Sequence, residues 1–259
     1  MKKSVFYLGL GLLSIFMLFS CLNDNDDVYV SYGVIRNVNS ANDYEILTDK
    51  GNTLKVLKSH TSQTVENDKR VLVNYEILSD KNQNKMIYDV SVNGFYQLLS
   101  KPVVNESFIL LNEESRRDSI GNDPFYQIHA AFGGDYINID FEVWYRQYSD
   151  VKHLINLVYD DLRAASDTIY LTLYHNAYGE VPGKNLYLNK GVGRSSFKIS
   201  DLLPPGVTSK PVKLTWTEYT YNNESRERSG TAIFKLGEKS DSRVRFAQQI
   251  GFDDSIGIN

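Results

Sequence analysis

Beyond residue 27 the apolar positions recur every second residue, so the predicted elements are strands rather than helices. In VYVSYGVI, Val28, Val30, Tyr32 and Val34 share one face. In KRVLVNYEIL the same rhythm links Val71, Val73, Tyr75 and Ile77, and in KMIYDVSV it links Met86, Tyr88, Val90 and Val92, with Ile87 opposite. DYEIL and TLKVL lie between these runs. Five strands within roughly 75 residues is the count of a small Greek-key barrel of the OB type. The prediction is an OB-like five-stranded barrel over residues 28–102.

The rhythm breaks from Val103 to Asn122, where ILLNEESRRDSIGND is charged and ends in turn-forming residues. That stretch reads as a connection between domains with one helical turn. A second series follows, opened by GGDYINIDFEVWY, in which Ile137, Ile139, Phe141 and Val143 alternate with Asn138, Asp140, Glu142 and Trp144. Leu154, Leu157, Val158, Asp161 and Leu162 also fit helical spacing, but Ile155, Leu157 and Tyr159 alternate toward a partner, DTIYLTLYHN, of the same rhythm. Leu186–Leu188, Ser196–Ile199, Leu214–Tyr219 and Thr231–Leu236 complete about seven strands, with PGKN, LPPG and YNNES as turns between them. The fold class is therefore all-β, with the barrel followed by an antiparallel β-sandwich over residues 123–259. Gly191, Gly193 and Arg194 in GKNLYLNKGVGRSS lack a Walker lysine and a strand-to-helix context, so a turn between strands is expected there rather than a phosphate cradle.

The first residues change the picture from architecture to address. Lys2 and Lys3 precede an apolar run from Val5 to Phe19, shorter than the roughly 20 residues that a membrane-spanning helix needs. Leu18-Phe19-Ser20-Cys21 resembles a lipobox, although Phe19 stands where a small residue is usual. Residues 1–20 are then a lipoprotein signal peptide, Cys21 the lipidation site, and residues 21–27 a tether carrying Asp24, Asp26 and Asp27. Several acyl chains on one residue anchor stably where a single chain does not. A free thiol is the competing possibility. Cys21 is the single cysteine, so no disulfide and no thiolate metal site can form.

The formal net charge of -4, from 28 basic and 32 acidic residues, offers no broad basic face. Between Val28 and Pro102 nine Lys and Arg stand against eight Asp and Glu, which gives little counterion-release drive. No nucleic-acid partner is expected. The 18 tyrosines suit strands and also a contact surface.

SIGNDPF, GGDYINIDF, HLINLVYD and DTIYLTLYHNAYG together resemble the NigD-like lipoproteins of gut and oral Bacteroidetes, and the resemblance extends to RVLVNYEIL in the N-terminal half. It implies an OB-like domain joined to a β-sandwich, an outer-membrane location on the periplasmic or cell-surface face, and no catalytic signature. The family takes its name from a gene in a bacteriocin cluster. Its members' acidic residues after the lipidated cysteine resemble a surface-export signal, and Asp24, Asp26 and Asp27 fit that pattern.

Candidate chemistry is sparse. Of His60, His129, His153 and His175, the last two fall opposite each other if their hairpin closes symmetrically about Ala164. Directly paired residues have Cβ atoms about 4.5–5.5 Å apart, close enough to share a metal or a proton. The plainer expectation is a pair closing the end of a core, because no third ligand of defined spacing is visible. Asp140 and Glu142 share a strand face beside Trp144, and i,i+2 carboxylates suit the separations of roughly 5–9.5 Å that glycosidases use. Alternate polar residues are also what any solvated strand face shows. No GxSxG or HExxH motif occurs, and no cofactor or metal is implied. The expected function is non-catalytic binding of a protein or glycan at the envelope. The alternatives are an envelope hydrolase or carbohydrate-active protein with a site near the interdomain cleft, and a bacteriocin-associated accessory role.

Overall fold

The computed structural model describes residues 28–82, 86–110, 119–163, 165–183 and 187–237. The signal-peptide, lipidation and tether expectations, Cys21 included, lie outside these residues.

Five strands, β1 (Val28–Ser40), β2 (Asp43–Thr48), β3 (Thr53–Ser59), β4 (Arg70–Asn82) and β5 (Ile87–Gln97), close into a barrel in the order β1-β2-β3-β5-β4. Closure removes both sheet edges. β3 and β5 run parallel and the other pairs antiparallel. Val71, Val73 and Tyr75 of β4 and Val90 and Val92 of β5 fill the interior, as the period-two rhythm predicts. β1 differs. Its interior positions are Tyr29 and Ile35, so the row Val28, Val30, Tyr32 and Val34 faces outward. The reason is tertiary: Tyr32 reaches outward to Asp140 of the second domain, and Val34 on the same face is buried.

The chain leaves the barrel earlier than the sequence suggests. β6 (Leu99–Lys101) already pairs with a sandwich strand, and β7 (Val104–Asn105) pairs with another before the short helix α1 (Glu106–Leu110). The sandwich continues with β8 (Gln127–Gly133), β9 (Tyr136–Tyr145), β10 (Leu154–Tyr159), β11 (Ile169–Asn176), β12 (Asn189–Lys198), β13 (Ser209–Tyr219) and β14 (Ser225–Lys235). One sheet has the order β14-β13-β11-β10-β7 and the other β6-β12-β9-β8. Most pairs are antiparallel, while β7–β10, β11–β13 and β6–β12 are parallel. Ile137, Ile139, Phe141 and Val143 of β9 meet Ile155, Leu157, Leu171 and Leu173 of the facing sheet in one core. Each such side chain, fully buried, contributes about 1.5–3 kcal/mol.

The glycine-rich stretch is not a turn. Gly191 and Gly193 lie inside β12, paired with Val143 and Phe141 of β9 on the core face. Removing side chains there leaves room for bulky neighbours, which is why glycines are tolerated in this strand. No strand covers the described residues Tyr187 and Leu188.

The barrel packs on the outer face of the four-stranded sheet, near the end where β9 begins and β12 ends. Arg70, 2% exposed, donates from Nη1 to Asp49 Oδ1 (2.6 Å) and from Nη2 to Asp49 Oδ2 (2.9 Å). Across the domain boundary its Nη2 also reaches Asn138 Oδ1 (2.8 Å) and its Nε reaches Ser196 Oγ (3.0 Å). Asn138 returns a bond to Asp49 (2.7 Å), and the guanidinium lies 4.0 Å from the centre of the Tyr136 ring. The Arg70 Nε, Nη1 and Nη2 atoms each find an acceptor, which is the condition for burying an ion pair without a large penalty.

Candidate functional site

The sheet registers bring one end of the sandwich, the end away from this boundary, into a single loop cluster. β9 finishes there at Tyr145, opposite Asn189 at the start of β12. Leu154 of β10 pairs with Asn176 of β11, and β13 runs parallel to β11, so Tyr219 and Ser225 reach the same end. The connections β9–β10, β11–β12 and β13–β14 therefore emerge side by side. Four tyrosines project from them: Tyr148 (95% exposed), Tyr178 (53%), Tyr187 (97%) and Tyr221 (103%). Tyr148 and Tyr178 have φ of 64° and 49°, a left-handed backbone that costs a bulky residue about 1–3 kcal/mol.

Beneath these loops lie the two histidines. Ile155 pairs with His175, so the hairpin register sits two residues from symmetric closure about Ala164. His153 and His175 are consequently diagonal rather than directly opposite. They still touch, because diagonal neighbours on one strand face stay within reach of large side chains. His175 Nε2 and His153 Nδ1 are 3.0 Å apart, and both residues are 2% exposed. His153 Nε2 stands 3.2 Å from Glu180 Oε2, which also accepts the Arg146 backbone N–H (2.8 Å). A carboxylate only accepts, so His153 carries its proton on Nε2 and receives one from His175 Nε2–H through Nδ1.

Burial, reinforced by the neighbouring His153, pushes His175 down to about 3, with the Pro124 and Asp123 carbonyls opposing. Burial raises Glu180, but hydrogen bonds from Ser149, the Arg146 amide and His153 outweigh it and hold the carboxyl below its usual range. The row thus ties the β9–β10 loop to the β11–β12 loop. The segment before β8 joins through Asp123, whose carboxylate accepts the Ala177 N–H (2.7 Å). Phe125 lies against the His175 ring at 5.1 Å. Glu180, Arg146 and Asp123 carry no sequence signal for this role, since contacts between separate loops leave no local pattern.

The other candidates divide. Trp144 sits at the same end on the outer face of β9 and is half-buried. Tyr126 meets it edge-on (5.9 Å, 82°), and the Lys190 ammonium lies 5.1 Å from its ring and 3.2 Å from that of Tyr126. Glu142 shares the face, paired with Gln127 and Val192. Asp140 belongs to the domain boundary instead: Tyr32 Oη donates to it at 2.6 Å, and Arg194 Nε is 3.6 Å away. Burial first, and then the Asp140 charge, raise the Tyr32 hydroxyl far above its usual range. His129 is exposed on β8 and His60 lines a cavity on the barrel. Among the described residues, no group of three or more His, Cys, Asp or Glu is placed to hold a metal ion.

Residues 107–229 match the NigD-like C-terminal beta sandwich domain. Three crystal structures share the two-domain fold. A protein named as toxin-related from Parabacteroides distasonis is 23% identical, with a TM-score of 0.61 over 82% of this chain and 96% of its own. A NigD-like immunity protein from Bacteroides caccae is 17% identical, with a TM-score of 0.58 over 79% of this chain and 92% of its own. A protein named as a lipoprotein from Bacteroides fragilis is 13% identical, with a TM-score of 0.55 over 82% of this chain and all 100% of its own. No curated protein matches the chain.

Proposed function

We propose that this chain, a five-stranded barrel joined to a NigD-like C-terminal β-sandwich domain, is a lipid-anchored envelope protein that works by binding a protein partner. The observation that carries the reading is the cluster of four projecting tyrosines on three adjacent loops, held from below by the His175–His153–Glu180 row. Tyrosine supplies large, rigid contact area with only two side-chain torsions to order, and a rigid base lowers the cost of ordering the loops. A hydrolase at the interdomain cleft has less support. Asp140 is engaged by Tyr32 and Arg194, and His153 and His175 are enclosed in the core. The names of two structural relatives, one an immunity protein and one toxin-related, favour an antibacterial protein as the kind of partner.

Lipidation at Cys21 places the barrel next to the membrane and leaves the loop end outermost. In growing cells, Cys21→Ala should lose palmitate labelling and membrane fractionation; retention of both refutes the anchor. A photo-crosslinking phenylalanine analogue at Tyr187 or Tyr221 should yield an adduct band absent when the analogue replaces Lys55, exposed on β3 of the barrel. Equal adducts at both places, or none at the loops, would overturn the contact surface.

A further inference from the structure

One face of the barrel carries a second, chemically different surface. Two cavities, of about 270 Å³ and about 520 Å³, flank the end of β5, and Tyr96 lines both. The smaller is walled by His60, Ser62, Gln63, Asn74, Asn93 and Phe95 around Gly94. Its shape comes from a bulge. Asn74 pairs with Gly94 but Tyr75 with Val92, so Asn93 is the extra residue and its side chain is turned outward. The Asn93 amide nitrogen donates to Glu76 Oε1 (2.8 Å) and to Asn74 Oδ1 (3.4 Å). With the carboxylate fixing that orientation, Asn93 presents its carbonyl and Asn74 its amide nitrogen, an acceptor beside a donor. Gly94 forms the floor, and a Cβ built there meets nothing within 4 Å.

The larger cavity reaches the domain boundary, and its charges are already matched. Lys69 pairs with Glu66 (3.2 Å), Asp68 with Arg36, and Arg70 with Asp49. Two neighbouring cavities that share the Tyr96 ring, whose lining includes side-chain amides and hydroxyls and whose acidic, lysine and arginine groups have ion partners, suit an uncharged polyol. Amides serve the paired hydroxyls of a sugar, and the tyrosine ring, with Arg194 5.9 Å from its centre, offers a surface for the sugar's apolar face, while Lys69 and Arg70 are already held by Glu66 and Asp49. We infer that the β4–β5 face of the barrel is a binding groove for a neutral oligosaccharide, with the Asn74–Asn93 pair holding one sugar unit and Tyr96 stacking the next. The groove is separate from the tyrosine loops, so a barrel-bound glycan and a loop-bound protein could be held at once.

The test uses soluble protein beginning at Asn23 and titration calorimetry with maltohexaose, cellohexaose, xylohexaose and mannohexaose, with oligothymidylate and a hexauronate as charged probes. At least one neutral hexasaccharide should bind. Gly94→Leu, which fills the smaller cavity, and Tyr96→Ala should each weaken that binding at least tenfold, while Gly94→Leu leaves the melting temperature within about a degree. Absence of binding by all four neutral sugars overturns the inference, as does preferential binding of either charged probe. So does neutral-sugar binding that both variants leave intact.

Discussion

Arg70→Met isolates one buried interaction that joins the two domains. The substitution keeps the apolar stem and removes the guanidinium, with its two bonds to Asp49 and its bonds to Asn138 and Ser196. The Asp49 side chain, 8% exposed, is left as a buried carboxylate still receiving the Asn138 amide. Removing one partner of such a pair costs about 3–5 kcal/mol, because the surviving charge keeps its desolvation penalty. That is a large share of the roughly 5–15 kcal/mol by which a domain is stable. Both tryptophans, Trp144 and Trp216, lie in the sandwich, so their fluorescence follows that domain alone while far-ultraviolet circular dichroism follows both. In urea the two probes should coincide for the native protein and separate for Arg70→Met. The double variant Arg70→Met/Asp49→Ala should be less destabilised than the two single effects added together, since it leaves no unpaired charge. A loss below about 1 kcal/mol in Arg70→Met, or strict additivity in the double variant, refutes the argument.

Two further outcomes follow from the same contacts. His175 is depressed in the folded state to about 3, so its contribution is complete above the unfolded value near 6.5 and is lost as pH falls toward 3. Glu180 is also depressed, so its contribution holds above its ordinary carboxylate value and fades below it, in the same direction. Urea unfolding at stepped pH should therefore show stability falling by up to about 1.4 kcal/mol per unit below pH 6.5; a flat profile from 6.5 to 4.5, or one that His175→Leu fails to flatten, contradicts it. At the domain boundary a Cβ on Gly133 would stand 2.4 Å from Asp49 Oδ2, so Gly133→Ala should cost about 1–3 kcal/mol by overpacking. Gly94→Ala, with open space at its Cβ, should stay within about 0.5 kcal/mol, and equal melting temperatures for the two would sink the comparison.

Period-two alternation is a local property, because successive strand side chains point to opposite faces whatever the fold. The strand run of each domain, the sandwich core row Ile137, Ile139, Phe141 and Val143, and the barrel-filling Val71, Val73 and Tyr75 were legible for that reason. The same rule cannot say which face is inside, and β1 turned its expected row outward, where Tyr32 meets the second domain. Glycines read as punctuation in isolation, yet Gly191 and Gly193 lie within a strand because Val143 and Phe141 occupy the neighbouring positions. The histidine pair was visible as a spacing, but contact depended on a register that no single strand encodes. Glu180, Arg70, Asp49 and the four loop tyrosines act only where separate loops and domains converge. Alternation and composition along the chain set the all-β class and which residues share a strand face; which residues meet at a site was decided by register and domain packing, which join residues distant in sequence.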